Sequence, residues 1–119
     1  MSVYTFELLG PIVPKARART TANGTYHPHR YNSWKKGAIA DLCSQYRGDP
    51  IDRAVVNVWL HGKHSRRGDG DNVMGAIWDA LVQAKVLSED NMKRLPAGAF
   101  DLEWSKDEPT ATILVFKEP

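Results

Sequence analysis

Residues Lys63–Asp90, KHSRRGDGDNVMGAIWDALVQAKVLSED, decide how the rest of the chain is read. From Asn72 to Lys85 apolar residues recur at helical spacing. Val73, Ile77, Leu81 and Ala84 form one stripe, and Met74, Trp78 and Val82 form the stripe beside it. Only Asn72, Gly75, Asp79 and Gln83 remain for a narrow polar side. An apolar arc so wide needs two surfaces to cover it. The helix is therefore expected to lie on a sheet and also against a second element, either another helix or a second subunit.

Upstream, Val3–Leu9 alternates Val3 and Thr5 with Tyr4, Phe6 and Leu8 before Gly10-Pro11 stops it, the pattern of a strand. Pro11–Arg30 holds early prolines, Asn23-Gly24 and Pro28, so it reads as a hairpin or an ordered arm and not as a helix. Tyr31–Tyr46 recovers helical spacing, with Asn32 or Ser33 as N-cap and Gly48 as the stop. Arg53–His61 is Val-rich and predicts a strand buried on at least one face. After Asp90, Phe100, Leu102 and Trp104 alternate with acids, Asp107-Glu108-Pro109 makes a turn, and Thr110–Phe116 returns as the second arm of an expected antiparallel hairpin. These elements predict one α/β (α+β) domain over residues 1–119, a small mixed sheet of about four strands with two main helices packed on it.

At 119 residues and 42% apolar content, the chain is expected to bury a core as one domain. Its apolar runs are too short to cross a bilayer and its start, MSVYTFELLGP, lacks the marks of a signal peptide, so a cytoplasmic location with no membrane partner is expected. A single cysteine, Cys43, excludes an internal disulfide and a Cys-pair zinc site, and is expected to act as a small apolar residue in a helix. The net charge of +2 is less telling than its layout. Residues 11–36 carry Lys15, Arg17, Arg19, Arg30, Lys35 and Lys36 and no acid, whereas residues 89–118 are dominated by acids. A basic half beside an acidic half points to a polyanion partner on one face. On an extended backbone Lys15, Arg17 and Arg19 would project to one side as a row of phosphate-binding cations.

The acids of the central stretch lie beside further cations. Arg66 and Arg67 precede Asp69 and Asp71, and Glu89-Asp90 follow the helix. Hard divalent cations take oxygen ligands and bridge to phosphate oxygens, so carboxylates next to cations are what a metal-dependent nuclease needs. Residues two apart on a helix do not face one another. Asp69 and Asp71 can converge only with Asp69 in the loop and Asp71 capping the helix, and capping alone also accounts for Asp71. A calcium EF-hand loop is excluded, because its third ligand position would be Val73, its glycine Met74 and its closing Glu Ala80. His27, His29, His61 and His64 lack the partners of a structural zinc site and are expected to line the polyanion face or sit in solvent.

Three segments carry a resemblance: Gly10-Pro11 through VPKARART and TYHPHR, then Gly68–Leu81 (GDGDNVMGAIWDAL), then LSEDN. The chain resembles the RusA family of Holliday-junction resolvases, small endodeoxyribonucleases common in phages and prophages. The resemblance implies a RusA-like fold, a homodimer, and Asp69, Asp71 and Asp90 as metal-binding catalytic carboxylates using Mg²⁺, with Mn²⁺ as the alternative. It implies branched DNA, a four-way junction, as partner, held at its phosphates by Lys15, Arg17, Arg19, Arg66 and Arg67. One position departs from the family. A lysine is usual four residues after the second Asp, and Gly75 stands there. Lys85 and Lys93 are the candidates to supply that charge from elsewhere.

The expected function is structure-selective, metal-dependent cleavage of four-way junctions by paired nicks in recombination and repair. Two rivals stand beside it: a weakened or inactive junction-binding protein, for which Gly75 argues, and a broader nuclease of flaps and branched DNA. A plain structural or interaction protein is the remaining alternative.

Overall fold

Along Ser2–Leu9 (β1), Phe6 and Leu8 are buried while Val3, Thr5, Glu7 and Leu9 are exposed, so the period-two pattern turns one face of the strand inward. Ala54–His61 (β4) repeats it with Ala54, Val56, Val58 and Leu60 buried, and Thr110–Lys117 (β6) with Ala111, Ile113 and Val115. The computed structural model describes residues 2–13, 19–21, 24–26, 29–64, 70–88, 100–103 and 105–117. Its main sheet has the order β1-β6-β4-β5, where β5 is Phe100–Glu103. β6 pairs antiparallel with β1 (Phe6↔Ile113) and with β4 (Val58↔Ile113), and β5 adds in parallel to the far edge of β4 (Leu60↔Leu102). The class is therefore a mixed α+β fold with two helices, as the sequence pattern indicates.

The expected antiparallel hairpin of the last two strands does not form. Both edges of β6 are taken, by β1 and by β4, so β5 joins the only open edge of β4. The segment from Glu103 to Thr110 then crosses the end of β4 to reach β6. Arg19–Thr21 (β2) and Gly24–Tyr26 (β3) form a separate antiparallel ribbon. A hairpin is thus present in this stretch, with Gly24 inside β3 opposite Thr21, and Asn23 lies outside the described residues.

His29–Gln45 (α1) and Gly70–Gln83 (α2) contribute to one core with the inward face of the sheet: Ala38 and Leu42 from α1, and Val73, Ile77, Ala80 and Leu81 from α2. α1 starts before Asn32 and Ser33, so neither is its cap. Cys43 does lie in α1, but on its exposed side, with Sγ 3.6 Å from Ala84 O. The wide apolar arc of α2 is covered within the chain, by the sheet and by α1.

α2 ends in a Schellman motif. Lys85 N donates to Val82 O (3.1 Å) and Val86 N to Leu81 O (3.0 Å), with Lys85 at φ 63° in the left-handed position usually given to glycine. The buried pair Leu81 and Val86 supplies the apolar contact that accompanies this cap. The chain then returns to the start of β4 through the parallel bridge Ile51↔Leu87, with Ile51 N on Val86 O and Ser88 N on Ile51 O, both 2.9 Å. The C-terminal end of α2 is thus brought beside the segment that leads into β4.

Candidate functional site

Residues 62–69 join the C-terminal end of β4 to the acid-bearing start of α2, and residues 65–69 of that connection lie outside the described residues. Asp71 is the second residue of α2, in its first turn and not at its cap, where a carboxylate is still favoured by the positive helix end. Asp69, Asp90, Lys15, Arg17, Arg66, Arg67 and Lys93 lie outside the described residues. Arg19 opens β2, paired with Tyr26. About 15 Å of helix, at 1.5 Å per residue, separates Asp71 from the level of Leu81, to which Val86 and Leu87 return. Among the described residues no group of three His, Cys, Asp or Glu could hold a metal ion.

Lys85 cannot supply in this chain the charge absent at Gly75. It stands at the C-terminal cap of α2, about 20 Å of helix from Asp71. Gly75 itself is half-buried, so α2 carries no side chain at the position one turn beyond Asp71.

Two features escaped the sequence pattern. The first joins the helices: Tyr31, 1% exposed, donates its hydroxyl to Asp79 Oδ2 at 3.1 Å. Asp79, placed by the helical wheel on the polar side, thus faces α1. Burial, then the charge of Asp79 and its hydrogen bond, push the Tyr31 phenol far above its ordinary range. Trp34 stacks on Tyr31 with centroids 6.1 Å apart, and Lys35 Nζ lies 5.2 Å from the Tyr31 centroid as a cation–π partner. A tyrosine and an aspartate, each on a helix with no shared motif, give no local signal of this pairing.

The second lies at the end of β4. His64, expected to line the polyanion face or sit in solvent, is buried, 5% exposed. Its Nε2 lies 3.0 Å from His61 O and 2.9 Å from Thr110 O. His61 itself is half-exposed beside Trp59, with Nε2 3.5 Å from Asp107 Oδ2 and Nδ1 3.9 Å from Glu103 Oε2. The glycine at 62 could have pointed to this turn, but nothing in the sequence marks His64 as internal.

The family model described as endodeoxyribonuclease RusA matches residues 10–115. This chain belongs to the RusA family. A crossover junction endodeoxyribonuclease RusA from Aquifex aeolicus (strain VF5) is 32% identical over 83 residues, covering 67% of this chain and 66% of that protein. The chain thus spans just under two thirds of the length of that relative. The RusA match encloses every candidate acid and cation, from Lys15 to Asp90. No helix among the described residues is long and apolar enough to cross a membrane.

Proposed function

We propose that this RusA-family chain is a divalent-metal-dependent endodeoxyribonuclease that resolves four-way DNA junctions by paired nicks, acting as a homodimer. The observation that carries the reading is the family match over residues 10–115, which includes the Asp-x-Asp motif at the start of α2 and the basic segments around it.

The donor set fits the group it would hold. Asp69, Asp71 and Asp90 offer only carboxylate oxygens, the ligands favoured by Mg²⁺ and Mn²⁺ and a poor match for softer metals. When bound, such an ion activates water and neutralises charge on the phosphate that is cut. The chain's own residues do the rest. On this reading the three carboxylates bind the ion and orient the phosphate to be cut, and Lys15, Arg17, Arg19, Arg66 and Arg67 contribute the cations that contact backbone phosphates. Such contacts give affinity that falls with salt and carries little sequence information. Because a four-way junction has two-fold symmetry, two sites related by a dimer axis would cut opposing strands as a pair.

The second reading is a junction-binding relative that does not cut. It is favoured by Gly75, since the side chain is missing from α2 and Lys85 lies at the helix's other end. Incubation of the protein and its Asp71→Asn variant with a labelled four-way junction, a flap and linear duplex, in Mg²⁺, Mn²⁺ and EDTA, separates the readings. Paired metal-dependent nicks confined to the junction and lost in the variant are expected. Tight junction binding without nicks in either metal establishes the second reading, and equal cleavage of the flap makes the protein a broader branched-DNA nuclease.

A further inference from the structure

The turn that leaves β4 is tied to the segment crossing it. Gly62 N donates to Glu103 O (3.1 Å), Lys63 N to Asp107 O (3.2 Å) and His64 N to Gly62 O (3.1 Å). Gly62 has φ 93°, and a Cβ there would lie 2.5 Å from Glu108 O, so glycine is required both by the backbone and by the close approach. His64 completes the attachment from within the protein. Both partners of its Nε2, His61 O and Thr110 O, are carbonyl oxygens that only accept, so Nε2 carries a hydrogen. Nδ1 is buried and has no hydrogen-bond partner among the described residues. A histidine that spends one nitrogen on two main-chain oxygens and leaves the other unpartnered serves the geometry of the turn.

We infer that His64 is a positioning residue. Its Nε2–H fixes the start of the segment bearing Arg66, Arg67, Asp69 and Asp71 to the mouth of β6 at Thr110. The inference rests on the nuclease reading above for its functional consequence. The far end of the same segment is already held, because α2 buries Ala76, Ile77 and Ala80 and is joined to α1 through Asp79. With His64 in place the chain is held at His64 and again along α2, on either side of residues 65–69, which lie outside the described residues. Anchoring both ends removes conformations from the residues between them. Carboxylates that must converge on one ion and one phosphate are sensitive to displacements near 1 Å, which lower rates on the order of a hundredfold.

The test compares wild type with His64→Gln, whose amide can donate at a similar reach, and with His64→Leu, which cannot donate. Junction affinity is measured in EDTA, nicking under single turnover in Mg²⁺, and hydrogen exchange at the amides of Lys63 and Val73. His64→Leu is expected to slow nicking by at least about tenfold with junction affinity within about threefold, and to speed exchange at both amides. His64→Gln is expected to restore rate and protection. Unchanged nicking in His64→Leu, or equal losses in both variants that follow the melting temperature, overturns the inference. If wild type nicks nothing, the nuclease reading fails and exchange alone decides the anchor. Unchanged exchange in His64→Leu then overturns it, and faster exchange reversed by His64→Gln supports it.

Discussion

The side-chain amide of Gln45 pairs with both backbone groups of Glu7: Nε2 donates to Glu7 O at 2.8 Å and Oε1 accepts from Glu7 N at 2.9 Å. β1 is an edge strand, and the last residue of α1 thus occupies part of its open edge as a neighbouring strand would. An unoccupied edge is a template for pairing with other chains. Gln45→Ala should lower stability by about 1 kcal/mol, the usual net value of such bonds. It should also increase self-association at high concentration, read by light scattering. A variant that stays as dispersed as wild type would show that other features guard this edge.

The Tyr31–Asp79 bond should be visible in the pH dependence of stability. The phenol is held protonated in the folded state well above its ordinary value of 10.0, while the unfolded chain releases that proton near the ordinary value. The folded form binds the extra proton, so stability is complete below about pH 10 and falls as pH rises beyond it. Tyr31→Phe should flatten this alkaline decline and cost about 1.5 kcal/mol at neutral pH, in the range for a hydrogen bond to a carboxylate. Denaturant unfolding of both proteins from pH 7 to 11 makes the comparison. Parallel curves would place the phenol's titration elsewhere.

Lys85 occupies a left-handed backbone position that favours glycine. Lys85→Gly should raise stability by about 0.5–1 kcal/mol, since a non-glycine residue in that region is strained by roughly that amount or more and glycine's added freedom in the unfolded chain offsets part of the gain. Nicking should be unaffected, because the side chain is a helix length from Asp71. A loss of nicking would instead require that Lys85 act on a site outside its own chain.

On the nuclease reading Asp69, Asp71 and Asp90 converge and repel one another, so a divalent ion bound to them should stabilise the folded state by mass action. Mg²⁺ or Mn²⁺ at a hundred times its dissociation constant should add about 2.7 kcal/mol, seen as a rise in melting temperature. Asp71→Asn should remove most of that rise. A melting temperature that ignores both metals would leave Asp71 with only its helix-end role.

Much of this fold could be read from alternation. β1, β4 and β6 follow it closely, because each buries one face and exposes the other. The partner of β5 could not be read that way, since four residues alternate identically whether the neighbour runs parallel or antiparallel, and the choice was made by β6 having no free edge. α1 began earlier than its capping-type residues suggested, with Asn32 and Ser33 inside its first turns. At the site, the acids and cations stand out as a local pattern. The contacts that flank them do not, because His64 meets Thr110 and Tyr31 meets Asp79 only after the chain has folded over 46 and 48 residues.

The order β1-β6-β4-β5 also has a consequence in time. The strand at the middle of the sheet is the last of the elements to be synthesised, and it pairs with the first. At roughly 5–20 residues per second, a ribosome exposes the basic segments and both helices seconds before Thr110–Lys117 can close the core and give His64 its carbonyl. Until then the emerging chain holds the acids and cations of the proposed site without the sheet that frames it, so on the nuclease reading a chain stopped before β6 should not cut.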